Sequence, residues 1–258
     1  VDRSSRTRPR GSAFAPPDVL APPAATLVML RAIIFDLDGT LADTEPLHFE
    51  AFNQVLRNEG IQLEREDYFA RLIGYNDRDC FTLVMAERGK AIDVAKIDDL
   101  IARKAAVYQA MIATRDVMCP GAVRFVEDCA QRFPLLIVTG TLRKEAEMIL
   151  SHAGLRGHFL DIIAADDVTH GKPAADGFML ALGRLGFILR PRPSIVAAEC
   201  LVIEDTAAGI TAARRAGMRV LALCHTANAH ELAAADLVRP SFEQTDLDDV
   251  LTRLARIT

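Results

Sequence analysis

Two aspartates, Asp36 and Asp38, directly follow a short apolar run that ends at Phe35. Residues i and i+2 of an extended segment point to the same side, so both carboxylates can face one pocket. Carboxylates this close repel each other unless a cation lies between them or one of them is protonated. Gly39 then permits a tight turn beside them. Alone, the pair is weak evidence for a site, because aspartates also cap turns.

Two later segments carry groups that suit an anion. Thr139 and Gly140 follow the apolar run Leu135–Val138 and precede a helical pattern. Free N–H groups at a helix start bind anions, although an isolated threonine is more often an N-cap. Lys172 stands in a glycine–proline turn just before another helical pattern, where its ammonium can reach a phosphate oxygen. The ordinary alternative for Lys172 is a solvated surface lysine.

A second pair of carboxylates, Glu204 and Asp205, ends another apolar run. An aspartate N-cap explains one of the two but not both. Carboxylate oxygens are the ligands that Mg²⁺ prefers. Taken together, the four segments supply a nucleophile, an acid/base group, a phosphate-binding cation and metal ligands, which is the set that phosphoryl transfer requires.

These side chains need a parallel sheet to bring them together. Continuous apolar runs are typical of strands that are covered on both faces, and helical patterns alternate with them. This alternation predicts right-handed βαβ units and an α/β fold with a Rossmann-like parallel sheet, whose sites collect at the carboxyl ends of the strands. The predicted strands are Ala32–Phe35, Leu135–Val138, Ile162–Ala164, Leu201–Ile203 and Val220–Leu223, and the predicted helices are Gly121–Arg132, Leu142–Ala153, Ala174–Leu185 with a stop at Gly186, and Thr206–Ala216.

Residues 44–118 break the alternation, because they show only amphipathic helical patterns. An all-helical insertion directly after the first strand predicts a separate small domain. We therefore expect a catalytic core made of residues 29–43 and 119–258, with an inserted helical cap at residues 44–118. The helical patterns are Pro46–Glu59, Arg65–Leu72, Asp77–Arg88 and Asp93–Ile112.

The first 28 residues are rich in arginine, serine and proline, which predicts a disordered extension before a natural start at Met29. The formal net charge is −5, and no basic face points to a nucleic-acid partner. No apolar run approaches the roughly 20 residues of a membrane span. The five cysteines form no C-x-x-C pair, which favours reduced thiols and a cytoplasmic location. We expect a monomer.

Four motifs resemble those of the haloacid dehalogenase superfamily of phosphotransferases, in the same order and over residues 31–257. The motifs are FDLDGTLADT (Phe35–Thr44), VTGT (Val138–Thr141), GKPAADGF (Gly171–Phe178) and IEDTAAGITAARRAGM (Ile203–Met218).

The resemblance implies a role for each motif residue. Asp36 would be the nucleophile that takes the phosphoryl group, and Asp38 the acid/base. The phosphate would be held at Thr139, Gly140 and Lys172. Mg²⁺ would be bound by Asp36, the backbone carbonyl of Asp38, Glu204 and Asp205, and the helical insertion would close over the site.

The same resemblance separates reaction types. Dehalogenating members lack an aspartate at the position of Asp38, so halide displacement is not expected. Phosphonate-cleaving members need a cap lysine that forms a Schiff base. Lys90, Lys96 and Lys104 are candidates for such a lysine, but none lies in a matching pattern.

Thr44 and His48 match the cap entry of the subgroup that contains β-phosphoglucomutase and sugar-phosphate phosphatases. The mutases hold a second phosphate with a cap arginine. Asp77 stands at that position, Arg78 follows it, and Ile73 replaces another basic residue. In addition, Arg143 stands where the mutase has a polar amide.

These departures favour a Mg²⁺-dependent phosphatase for a small phosphorylated metabolite such as a sugar phosphate. A sugar-phosphate mutase is the alternative, and a non-catalytic binding protein is a third possibility. For Arg78 two roles stay open. It either binds a distal anion of the substrate or is a solvated arginine paired with a neighbouring aspartate.

Overall fold

The computed structural model describes residues 29–72, 77–90, 93–190 and 194–256. The extension at residues 1–28, which the sequence predicts to be disordered, lies outside the described residues.

Six parallel strands form one sheet in the described part of the chain, in the order β3-β2-β1-β4-β5-β6. Strand β1 lies in the centre, and its four residues are fully buried. Its neighbours β2 and β4 are also buried along their whole length and are apolar except for Glu204 at the end of β4, which is the pattern of a sheet covered on both faces. The strands are β1 (Ala32–Phe35), β2 (Leu135–Val138), β3 (Phe159–Ile163), β4 (Cys200–Glu204), β5 (Arg219–Leu223) and β6 (Leu237–Arg239).

Helices cover the two faces of the sheet, and successive residues of β1 point to opposite faces. Ile33 and Phe35 pack into one apolar cluster, whereas Ala32 and Ile34 pack into another. Helices α5, α6 and α9 contribute to the first cluster, and α7 and α8 to the second. These helices are α5 (Ala122–Ala130), α6 (Arg143–His152), α7 (Asp176–Ile188), α8 (Ala207–Arg215) and α9 (Leu247–Leu254).

The insertion between β1 and α5 is helical and has an apolar core of its own. Phe52, Leu56, Phe81 and Leu100 belong to this third cluster. The α/β core with a helical cap is therefore confirmed as the fold class, while the limits at residues 44 and 118 stay predictions. The cap helices are α1 (Glu45–Asn58), α2 (Arg65–Arg71), α3 (Asp77–Glu87) and α4 (Val94–Ile112).

The two chain segments that join cap and core run side by side. Ala42 pairs with Met118 in an antiparallel bridge. On either side of it, the N–H of Cys119 donates to the carbonyl of Leu41, and the N–H of Asp43 donates to that of Val117, both at 2.8 Å. The cap is thus tied to the core through one short pair of strands, which is a suitable hinge.

Several predicted boundaries need correction. Helix α7 passes through Gly186 and ends at Ile188, because this glycine does not adopt the left-handed conformation that stops a helix. Strand β3 begins at Phe159, three residues before the predicted start. Strand β6 and helix α9 were not predicted. No described helix is both long enough and apolar enough to cross a membrane.

Candidate active site

The ends of β1, β2 and β4 and the loop before α7 meet at one edge of the sheet. Asp36 follows β1, Thr139 and Gly140 follow β2, and Glu204 is the last residue of β4. Asp36, Gly140 and Glu204, together with cap residues, line a cavity of about 540 Å³. Lys172 reaches into it from the loop before α7. Thr139 lies beside this lining and donates to Asp38.

Asp36, Glu204 and Asp205 form a compact group of buried carboxylates. One oxygen of each lies within 4.8 Å of the others. Burial, the largest influence, raises the pKa of Asp36 well above its usual value, which Lys172 opposes and the other two carboxylates reinforce. Burial also raises the pKa of Asp205. Among the described residues, Asp205 Oδ2 is buried without a hydrogen-bond partner. Three oxygen ligands and an unpartnered acceptor fit a hard divalent cation such as Mg²⁺.

Two glycines leave room for these carboxylates. A Cβ on Gly209, near the start of α8, would lie inside van der Waals contact with the Glu204 carboxylate. A Cβ on Gly39 would do the same to Asp205 Oδ2, and Gly39 also has a φ of +80°, which disfavours other residues. Glycine at these positions therefore lets the backbone approach the acidic group closely.

Glu204 is fixed by the start of α8. Its Oε2 accepts hydrogen bonds from the backbone N–H groups of Asp205 and Thr206, at 2.9 and 3.0 Å, and from the Thr206 hydroxyl at 2.9 Å. The Thr206 hydroxyl also caps α8 by accepting from the N–H of Gly209. One oxygen of Glu204 is thus held by the backbone, and the other faces the cavity.

Lys172 links two of the carboxylates. Its Nζ donates to Asp36 Oδ1 and, at 2.6 Å, to Glu204 Oε1. Burial acts to lower the pKa of Lys172, but the charges of Asp36 and Glu204 outweigh burial and raise it. Lys172 is therefore a charged group that can bind a phosphate oxygen. We call Asp36, Lys172 and Glu204 the floor of the cavity.

Asp38 lies within a group of threonine hydroxyls. Thr44 donates to its Oδ1 at 2.8 Å, and Thr139 and Thr141 both donate to its Oδ2, Thr139 at 3.0 Å. Thr44 stands at the N-cap of α1, yet its hydroxyl makes no cap hydrogen bond. These contacts fix the direction of the Asp38 carboxylate. The predicted metal contact of its backbone carbonyl stays a prediction.

The cap side of the cavity carries a second lysine. Lys104 of α4 is 2 % exposed, and its Nζ lies 2.9 Å from Asp77 Oδ1 and 2.7 Å from His48 Nδ1. Because an ammonium group can only donate, Nδ1 of His48 accepts, and the neutral ring carries its proton on Nε2. Burial first, and then the Lys104 charge, lowers the pKa of His48 to about 3. His48 also stacks on the Tyr108 ring at 4.2 Å.

Most of the predicted site residues line this cavity. Thr139 and Asp205 lie directly behind the lining, in contact with Asp38 and close to Asp36 respectively, whereas Arg78 lies away from it. The Arg78 guanidinium is half exposed and pairs with Asp98 at 2.5 Å, outside the cavity lining. Arg143, where the mutase has an amide, pairs with Asp167 and likewise does not line the cavity. The predicted role of Ile73 lies outside the described residues.

Lys104 is the functional candidate that the sequence reasoning considered only as a Schiff-base lysine. The position of Lys104 within an apolar helix face could have identified it from the sequence. Ile97, Leu100, Tyr108 and Ile112 are buried at helical spacing on α4, and Lys104 interrupts this apolar face. A lysine at such a position is rarely buried without a partner, so it marks a charged group on a neighbouring helix.

The sheet with its inserted helical domain and acidic strand ends, the family model and phosphatase-named relatives together show an enzyme of the phosphoric monoester hydrolase class. The family model for haloacid dehalogenase-like hydrolases matches residues 30–217, and the chain belongs to this family.

One relative of the chain is named as a sugar-phosphate phosphatase. The chain is 34% identical over 188 residues to the fructose-1-phosphate phosphatase YqaB of Escherichia coli, which covers 72% of this chain and 92% of that protein.

Two solved structures are similar to this chain in fold and sequence. The structure of CbbY from Rhodobacter sphaeroides with xylulose-(1,5)bisphosphate has a TM-score of 0.69 at 28% identity, covering 83% of this chain and 95% of that one. A putative β-phosphoglucomutase from Thermotoga maritima has a TM-score of 0.67 at 27% identity, covering 89% and 100%.

Proposed function

We propose that this protein is a Mg²⁺-dependent phosphatase that hydrolyses a small phosphorylated metabolite such as a sugar phosphate through a phospho-aspartate on Asp36. The observation that carries the proposal is the shared cavity. The Asp36 carboxylate, the threonine-held Asp38 carboxylate and the Lys172 ammonium all line it, and these groups match the needs of nucleophilic displacement at phosphorus.

The first half of the reaction forms a bond and breaks another. A carboxylate oxygen of Asp36 attacks phosphorus, and the bond to the leaving oxygen breaks. Asp38, in its protonated form, donates its proton to that oxygen, so the alcohol leaves neutral. Lys172 balances charge on the transferred group, and Gly140, which follows β2, lines the same cavity.

The second half regenerates the enzyme. Asp38, now a carboxylate, takes a proton from a water molecule as the water attacks phosphorus. The phosphorus–Asp36 bond breaks and inorganic phosphate leaves. A divalent cation held by Asp36, Glu204 and Asp205 would supply charge neutralisation at the phosphoryl group.

The relatives support the substrate class. One is named a fructose-1-phosphate phosphatase, and another, 30% identical over 233 residues, a phosphorylated carbohydrates phosphatase from Thermotoga maritima. The likeness to a putative β-phosphoglucomutase keeps a mutase as the second candidate. Asp77, which stands where the mutases have an arginine, argues against it. A monomeric state and a cytoplasmic location remain predictions.

A panel of phosphorylated metabolites tests the proposal. We expect phosphate release from one or more sugar monophosphates, with no isomer of the substrate detected by NMR. Isomer formation without phosphate release would establish the mutase instead.

Metal dependence is a separate test. We expect activity to be lost in excess chelator and restored by Mg²⁺ but not by Ca²⁺, whose longer bonds and higher coordination number misplace Asp36. Full activity in excess chelator would overturn the metal assignment.

A further inference from the structure

Three acidic residues line the cavity in addition to Asp36, Asp38 and Glu204. Glu45 at the start of α1, Asp77 at the start of α3 and Glu145 in the first turn of α6 all line it. We call these three residues the acidic wall. They are carried by two cap helices and one core helix.

The basic groups of the cavity are already paired. Among the described lining residues, Lys104 and Lys172 are the lysines, and no arginine contributes. Lys172 is held by Asp36 and Glu204 at the floor. Lys104 is held by Asp77, 2.9 Å away, and by His48. Its ammonium also lies 4.8 Å from the centre of the Phe52 ring, so it is enclosed on several sides.

The wall therefore carries more negative than positive charge. One carboxylate balances Lys104, and two carboxyl groups remain. Glu45 accepts a hydrogen bond of 2.6 Å from the Tyr68 hydroxyl, a neutral donor. Burial raises the pKa of both Glu45 and Glu145, although the Lys104 charge and hydrogen bonds from Tyr68 and Gln109 act in the opposite direction. Such groups accept hydrogen bonds from hydroxyl or ammonium donors and repel anions.

We propose that the acidic wall selects monophosphates whose distal end is a polyol or an amine, and that it excludes substrates with a second phosphate. This inference rests on the proposed phosphatase function. Asp77 is the specificity-determining residue, because its carboxylate pairs with the ammonium of the buried Lys104, which would otherwise be available to bind a distal anion. Exclusion works through repulsion by the wall, while both lysines among the described lining residues are already paired with carboxylates. The two effects together set the discrimination between substrates.

Three hexose phosphates with the same ring test the proposal. They are glucosamine 6-phosphate, glucose 6-phosphate and glucose 1,6-bisphosphate, whose distal groups are cationic, neutral and anionic. Each is measured as a competitive inhibitor of p-nitrophenyl phosphate hydrolysis and, where it is turned over, by kcat/KM. We expect the bisphosphate to bind about tenfold or more weakly than glucose 6-phosphate, and glucosamine 6-phosphate to bind at least as well.

Asp77→Asn releases Lys104 from its counter-charge while keeping the side-chain size. The preference for glucose 6-phosphate over the bisphosphate should fall about tenfold in this variant. Asp99→Asn is the matched control, since it removes the same charge from an exposed position on the cap helix α4, where Asp99 pairs with Arg103. The control should keep the wild-type preference. Glu145→Gln is a second test of the wall and should shift the preference in the same direction as Asp77→Asn.

The outcomes separate this inference from the proposed function. Equal inhibition by all three sugars, or an unchanged preference in both Asp77→Asn and Glu145→Gln, overturns the acidic wall as a selector and leaves the phosphatase assignment intact. Absence of any hydrolysis of p-nitrophenyl phosphate in the presence of Mg²⁺ overturns the phosphatase and the inference with it.

Discussion

At the floor of the cavity, Glu204 is held by backbone N–H groups, whereas at the acidic wall Asp77 is held by the side chain of Lys104. Asp36 and Glu204 stand at the ends of paired strands, and backbone N–H groups hold one oxygen of Glu204. Lys104 and Asp77, by contrast, meet from two cap helices. Under the proposed function, the reacting groups are therefore positioned by the sheet, while the proposed selectivity depends on a side-chain pair that a single substitution can change.

A single substitution at the floor, Asp36→Asn, should abolish activity. Asp36→Asn removes the nucleophile and one ligand charge, so we expect phosphate release to fall about 10⁴-fold or more. The variant should still fold, because an amide is easier to bury than a carboxylate. Phosphate release and the melting temperature check the two parts. Substantial turnover in purified Asp36→Asn protein would contradict the nucleophile assignment.

The close backbone approach at the floor can be tested without touching a charge. In Gly209→Ala the new methyl group displaces the Glu204 carboxylate, so we expect activity and metal affinity to fall about 10- to 100-fold, as for other disturbances of ligand support. Gly183→Ala is the matched control. Gly183 lies exposed in α7 with open space at its Cβ position.

The control variant should keep full activity and gain up to about 1 kcal/mol of stability, because alanine favours a helix over glycine. Loss of activity in both variants, measured by Mg²⁺ titration of turnover, would show that the effect is not specific to Glu204.

The buried His48, which accepts a hydrogen bond from Lys104 beside the wall, should make the stability of the protein depend on pH. The pKa of His48 is lowered in the folded state to about 3, from a usual value near 6.5. The unfolded chain therefore binds more protons, and stability falls as the pH drops below about 6.5. Between pH 8 and pH 5 the loss from His48 is about 2 kcal/mol. His48→Gln keeps an acceptor for Lys104 but does not titrate. Urea unfolding at the two pH values should show a smaller acid loss in His48→Gln, and an identical loss would contradict the neutral, buried state of His48.

Arg78 should show the smallest effect. It pairs with Asp98 on the surface of the cap, and exposed ion pairs contribute about 1 kcal/mol or less. We expect Arg78→Ala to keep kcat and KM within about twofold of the wild type on the best substrate. A marked rise in KM for a substrate with a distal anion would show instead that Arg78 binds that anion. The acidic wall would then not be the part of the protein that selects the substrate.

The floor was predictable from the sequence because its residues follow strands that the apolar runs define. The predicted Ala32–Phe35 and Leu135–Val138 match β1 and β2. Parallel pairing then brings the residues after these strands to one edge. Strand β6 escaped prediction because its three residues are only half-buried and form no continuous buried run.

The wall was not predictable in the same way. The contact between Lys104 and Asp77 depends on how α3 and α4 pack, and no local pattern specifies that packing. The interrupted apolar face of α4 indicates that Lys104 needs a partner but does not name it. Arg78 and Asp77 are neighbours in the sequence, and only the orientation of α3 decides that Asp77 faces the cavity.

The pairing of β1 has a consequence for the order in which the protein folds. Ile33 pairs with Leu135 on one side and with Leu201 on the other. During synthesis, the strand that ends beside Asp36 is made before both of its partners, which follow about 100 and 170 residues later in the chain. The cap, whose apolar cluster draws on residues 49–107, can form before either partner is made. Strand β1 is thus enclosed only after the cap has been made, and Asp36, Lys172 and Glu204 come together only once β4 has been translated.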